Sequence, residues 1–183
     1  MTWTIDSAHT NVGFSVRHMG LSTVRGKFTR FSGEINLDPS DLTRASGTVE
    51  IDAASIDTGQ ADRDNHLRGA DFFDVATYPK ITFKATQVTG RRGDFAVTGD
   101  LTIKDVTREV TFEAEYAGEG QDPFGNHKVG GAVTGTIDRK DFGLTWNVAL
   151  EAGGLLVGDK IKIEVEGQLV EQKAAVAQEA AAK

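Results

Sequence analysis

The densest collection of chemically capable side chains lies in residues 62–83, DRDNHLRGADFFDVATYPKITF. Charge, one histidine, three phenylalanines and a proline sit there between two strand-like segments. Asp62 and His66 are four residues apart, a spacing that puts both on one face of a helix. Such a pair can share a metal ion. Equally, Asp62 can cap a short helix, with Asp64 near its positive end. The remaining histidines, His9, His18 and His127, are scattered and make no paired helical spacing of the zinc-hydrolase kind. No metal is expected.

Other catalytic constellations fail on spacing. Asp6, Ser7 and His9 are neighbours in sequence, but a triad is defined by spatial geometry, and no GxSxG elbow is present. GLSTVRGKF at 20–28 resembles a phosphate loop only faintly. Its glycines are one residue too far apart, and Phe28 stands where Ser or Thr is needed. With no cysteine in the chain, thiolate nucleophiles, disulfides and Cys metal sites are all absent. No catalytic residue is expected.

The elements that must position these residues read as β-structure. Apolar alternation with a period of two recurs along the chain. Val12, Phe14, Val16 and His18 share one face, and Gly13, Ser15, Arg17 and Met19 the other. Gly26 and Phe28 are followed, after a one-residue slip, by Phe31, Gly33, Ile35 and Leu37; a bulge or bend produces such a slip. Further runs start at Gly47, Ile81, Phe95, Val110, Val129 and Ile161. Turn signals such as DPSD at 38–41, GRRGD at 90–94 and QDPFGN at 121–126 separate them. About eight strands with mostly short connections predict an antiparallel up-and-down barrel with a short helical insertion. The opening stretch and residues 138–157 break the pattern. Glycines on the inward-type positions withdraw side-chain volume, so the interior is expected to keep space for an apolar ligand, although the same glycines also serve coiling and closure.

At 183 residues and 39% hydrophobic content the chain reads as one domain over 1–170, followed by an Ala-rich tail at 171–183. A net charge of −7 argues against nucleic acid and against electrostatic docking on an anionic membrane. The opening MTWTIDSAHT has neither a basic nor an apolar leader region, and no run is long enough to cross a bilayer as a helix. A cytoplasmic protein is the expectation.

Several stretches, in order, resemble the YceI-like family. They are WTIDSAHTNVGFSVRHMG at 3–20, GKFTRFSGEI at 26–35, SIDTG at 55–59, RDNHL at 63–67, DFFDV at 71–75 and YPKITF at 78–83. GDLTIKDVTREVTF at 99–112, DPFG at 122–125 and DRKDFGL at 138–144 complete the set. The resemblance covers residues 3–170. It implies an extended lipocalin-like barrel that binds polyisoprenoids, quinone-like molecules or other long amphiphiles in an apolar pore. It implies no enzymatic activity and no cofactor beyond the bound lipid or quinone. A homodimer is compatible with it, and membrane contact is expected to be transient at most. Many members carry a secretory leader and act in the periplasm; this sequence starts directly at the domain.

For such a lipid, summing about 0.8 kcal/mol per buried CH₂ over a long tail overshoots the practical ceiling of roughly 18–21 kcal/mol. The lipid starts in a bilayer, so its transfer is nearly neutral in hydrophobic terms, and packing and head-group contacts decide binding. Expected tail-binding residues are Phe14, Val16, Phe28, Phe83, Leu101 and Phe112 on strands, and Leu67, Phe72 and Phe73 on a helical lid. Phe142, Leu144 and Trp146 of the late connection complete the set. Arg17, His18, Arg63 and His66 are the head-group candidates, because Arg and His donate to carbonyls and phosphates. Each also reads as an ordinary ion-pair partner. Two other functions stay open: an enzyme acting on such a lipid, which needs an acid–base pair in the cavity, and a filled structural barrel that binds a protein.

Overall fold

The computed structural model describes residues 1–173. Eleven strand segments form one antiparallel sheet: β1 Thr2–Ile5, β2 Asn11–His18, β3 Ser22–Phe28, β4 Phe31–Asn36, β5 Ser46–Asp52 and β6 Ile56–Asp57 come first. Then follow α1 Ala61–Arg68, β7 Lys80–Arg91, β8 Asp94–Ile103, β9 Val106–Gln121, β10 His127–Asp138 and β11 Val157–Glu171. The ring closes because β11 pairs with β2 along Val157–Glu166 and with β1 at Leu169–Glu171. β1 and β2, β3 and β4, and β5 and β6 are thus the broken halves of three staves. With β7–β11 they make an eight-stranded closed barrel, the number expected.

The breaks have identifiable causes. Between β3 and β4 the chain turns around Ser55, whose hydroxyl accepts from Thr29 N at 3.1 Å and Arg30 N at 3.0 Å and donates to Asp52 O at 2.7 Å. One side chain therefore satisfies the backbone groups that two interrupted strands would leave orphaned. Between β1 and β2, Thr10 fills the missing ladder position: its hydroxyl accepts from Gln168 N and donates to Gln168 O. The slip between Phe28 and Phe31 is such a break.

The opening stretch is not a departure from the barrel. β1 is the strand that sews it shut, pairing β4 on one side and β11 on the other. Trp3 is wholly buried there, and its indole N–H donates to Leu37 O at 3.0 Å. Alternation was masked because β1 is only four residues long. At the other end of the barrel, β6 is an edge that pairs only with β3, and α1 with residues 69–79 fills the space beside it. This is the helical end. β11 runs to Glu171, and residues 174–183 of the expected tail lie outside the described residues.

Candidate functional site

Inward positions of every stave surround one continuous cavity of about 490 Å³. That lies within the range of roughly 300–1,000 Å³ that small-molecule sites occupy. On β11 alone the lining runs from Val157 to Leu169. This is roughly 35–40 Å of strand, or about 25–30 Å along a barrel axis tilted by about 40°. The space is a tunnel rather than a pocket. Its walls are almost entirely Val, Ile, Leu, Phe and Ala.

The glycines create this lumen by a route other than simple loss of volume. Gly26 is the cross-strand partner of Phe14, and a β-carbon on Gly26 would collide with the Phe14 ring. A β-carbon on Gly99 would lie 2.7 Å from the Phe83 ring, and one on Gly135 would strike Phe112. Each ring occupies the space over a bare stretch of backbone that a side chain would otherwise fill. Pairing an aromatic with a cross-strand glycine also restores the packing the glycine lacks.

Of the expected tail residues, Phe14, Val16, Phe28, Leu67, Phe72, Phe73, Phe83, Leu101, Phe112 and Leu144 line the tunnel. Phe142 and Trp146 do not. Phe142 is packed into the core from the 3-10 turn Arg139–Phe142 and is only 1% exposed. Trp146 packs outside the lining, 4.7 Å from the His66 ring and 5.3 Å from Phe72. Strand parity cannot be carried into an irregular segment, and both residues fall in one. The lid also differs from expectation: only Leu67 is on α1, while Phe72 and Phe73 follow it in turns. Phe73 meets Phe28 edge-on at 6.0 Å.

α1 is fixed by polar ties rather than by an apolar face. Asp64, buried, accepts from Thr58 N at 2.9 Å. Arg68 donates to the carbonyls of Ala54 and Ile56 at 2.8 and 2.9 Å. The N-cap position is Gln60, with no side-chain cap, so Asp62 does not cap this helix.

The head-group candidates are not brought into the cavity: none of the four lines it. Arg63 is spent on Thr58, through its hydroxyl at 2.7 Å and its carbonyl at 2.9 Å. His66 pairs with Asp71 at 2.9 Å on the exposed side of α1. Arg17 points outward by strand parity and donates to Gly20 O at 2.9 Å. His18 shares the inward parity but ends β2, opposite Ser22. Residue chemistry alone selected these four, and nothing in it encodes direction.

Six polar residues do line the tunnel: Thr10, Ser46, Glu115, Tyr116, Arg139 and Gln168. All but Arg139 sit toward the end away from α1. Arg139 belongs to the helical end and is 3% exposed. Its guanidinium donates to the carbonyls of Leu144, Trp146 and Gly158 at 2.7–2.9 Å, with Asp159 Oδ1 at 3.6 Å. It holds the late connection closed over that end. The DRKD run at 138–141 was its only sequence signal, and a charged run reads first as solvated surface.

At the opposite end, charges sit on the closure seam. Lys128 bonds Asp6 at 2.8 Å, and chiefly this contact lowers the Asp6 carboxyl to about 2. His127 lies between Glu171 at 2.8 Å and Glu119 at 2.9 Å, and the Glu171 hydrogen bond leads in raising its pKa.

The profile of the YceI-like domain matches residues 3–169. A UPF0312 protein of Staphylococcus aureus is 38% identical over 167 residues, spanning 91% of this chain and 95% of its own. One from Vibrio cholerae is 41% identical over 138 residues, 75% of this chain and 73% of its own. Among solved structures, the YCEI protein of Campylobacter jejuni superposes with a TM-score of 0.73 at 32% identity, covering 92% of this chain and 97% of that one. Burkholderia cenocepacia BcnA gives 0.73 at 27% identity, covering 92% and 99%. A polyisoprenoid binding domain from Saccharophagus degradans gives 0.67 at 16% identity, covering 93% and 98%, a likeness of fold alone. The chain belongs to the YceI-like family.

Proposed function

We propose that this protein binds a long-chain isoprenoid or similar apolar lipid in the tunnel and stores or carries it without chemical change. The observation that carries the reading is the continuous apolar lining from Ile137 and Leu144 at the helical end to Leu37 and Leu42 at the other. A bore of that length and composition suits one extended chain and offers nothing to a charged molecule. Tyr116, which shares the inward parity of Phe112 and Ala114 on β9, favours a lipid whose head lies toward the far end and whose tail runs toward α1. The polyisoprenoid binding domain of Saccharophagus degradans shares the fold, which is consistent with this use.

The enzymatic alternative draws less support. An acid–base pair must face the reacting atoms. Among the tunnel residues the ionisable groups are Glu115, Tyr116 and Arg139. Glu115 and Tyr116 are consecutive on β9 and point to opposite faces, and Arg139 is saturated by carbonyls.

The test is solvent extraction of the protein purified from its native host, followed by mass spectrometry. A stoichiometric isoprenoid names the ligand. A protein that is empty, and takes up no added polyprenol or quinone, overturns the reading.

A further inference from the structure

The outer surface of the helical end carries four large apolar side chains that the fold leaves exposed: Met19 and Leu21 in the β2–β3 turn, Val148 and Leu155 in the late connection. Backbone bonds join the two loops into one tip. Met19 N donates to Leu156 O at 2.8 Å, Leu156 N donates to Val148 O at 2.9 Å, and Ala149 bridges Leu155. Leu21 is 78% exposed. The turn fixes it outward, since Met19 and Gly20 both have left-handed backbone angles, a conformation that a methionine seldom adopts.

Behind this tip the outward face is basic. Arg17 on β2 stands opposite Thr23, followed on β3 by Arg25 and Lys27. Ser15 lies between Arg25 and Lys162 of β11. Arg17, Arg25 and Lys27 make no ion pair among the described residues. Of the acids nearby, Glu164 pairs with Lys162 at 2.7 Å and Asp138 with Lys160 at 3.3 Å, while Asp57, the register partner of Lys27, accepts from Gly59 N at 2.8 Å. Between β10 and β11 the late connection carries two acids, Asp141 and Glu151. A chain of net charge −7 therefore presents one locally cationic face beside its exposed apolar corner. The whole-chain charge, which argued against an anionic membrane, does not describe this face.

We propose that this corner docks on an anionic phospholipid bilayer. Met19, Leu21, Val148 and Leu155 enter the interface, and Arg17, Arg25 and Lys27 face the phosphates. An apolar edge flanked by unpaired cations matches the two contributions that bind peripheral proteins to such surfaces. Docking turns the α1 end of the barrel toward the bilayer. Resting on the tunnel reading for this last step only, a lipid that leaves the bilayer head first comes to lie with its head toward Tyr116.

The test is flotation of the full chain with vesicles of phosphatidylcholine, and with vesicles of equal parts phosphatidylcholine and phosphatidylglycerol. It needs no lipid in the tunnel, so its outcome is independent of the extraction experiment. Expected is binding to the anionic vesicles only, weakening as salt rises. Neutralising Arg25→Gln and Lys27→Gln together weakens it roughly thirtyfold, each cation near an anionic surface being worth about fivefold. Leu21→Ser with Leu155→Ser also releases the protein. A Leu21→Trp variant shows blue-shifted fluorescence on the anionic vesicles. All these positions are exposed, and unchanged thermal unfolding verifies that the variants fold. No flotation, equal binding to both vesicles, or binding indifferent to these variants overturns the proposal. So does a homodimer in sedimentation that Leu21→Ser dissociates in the absence of any vesicle binding.

Discussion

The ring of Phe14 rests on the backbone of Gly26, its direct cross-strand partner, in a space that a single β-carbon would occupy. The lumen at this level depends on that contact. Gly26→Ala should drive the ring off the wall and into the bore. The cost of such overpacking is about 1–3 kcal/mol. Expected are a lower midpoint in urea and a smaller amount of bound lipid per protein. Gly26→Ala with Phe14→Leu should recover much of both, since the shorter side chain leaves the wall free. Recovery of neither would show that the Gly26 contact does not shape the tunnel.

The middle of the bore offers a cleaner block. Ala114 of β9 faces the tunnel between Phe95 and Val133, its neighbours in register. Ala114→Trp places a bulky ring across existing space rather than into close packing, so stability should change little. Bound long-chain lipid, measured by extraction and mass spectrometry, should fall at least tenfold, and a short-chain analogue that ends before Ala114 should still bind. Full retention of the long lipid would place it elsewhere on the protein.

How much of this was readable beforehand differs between strands and connections. Val12, Phe14 and Val16 announced their face because a strand alternates strictly, and the same rule placed Phe83, Leu101 and Phe112 in the bore. The slip between Phe28 and Phe31 was visible as a bend, but not its cause. Ser55 lies twenty-four residues beyond Phe31, and no local pattern links them. Phe142 and Trp146 look as apolar as Leu144, yet only Leu144 reaches the tunnel. All three fall in an irregular segment, where Arg139 takes the carbonyls of Leu144 and Trp146, a tertiary contact without a period. The four head-group candidates lie outside the lining for a related reason: residue chemistry carries no direction, and Arg63 and His66 are taken by Thr58 and Asp71.

Ser55→Ala tests the hinge between β3 and β4. The substitution removes the acceptor of Arg30 N–H at a site that is 4% exposed, while Thr29 N–H keeps the Ser55 carbonyl at 3.2 Å. Leaving buried donors unpaired costs about 1–3 kcal/mol each, somewhat less if water enters. A loss of about 1–2 kcal/mol in urea unfolding is expected, with an unchanged m-value because the exposed surface is the same. A loss below about 0.5 kcal/mol would show that the break is held by its flanking ladders instead.

The closure seam predicts a pH profile with two distinct edges. His127 joins Glu119 of β9 to Glu171 of β11 and lies 5.1 Å from the Trp3 ring of β1. Both ring nitrogens can donate only in the imidazolium, so the folded state favours the charged form and raises its pKa above the ordinary 6.5. Its stabilisation is then complete below about pH 6.5 and fades as pH rises through the folded value. Asp6 behaves oppositely. Lys128 holds its carboxyl at about 2 against an ordinary 3.8, so its contribution is complete well above pH 3.8 and is lost as pH falls toward 2. Thermal unfolding across this range should show a plateau bounded by the two losses. His127→Gln should flatten the upper edge and leave the acid edge in place. Asp6→Asn should weaken the acid edge alone. If His127→Gln keeps the upper edge, the alkaline loss arises from a group other than the carboxylate–imidazole–carboxylate bridge at the seam.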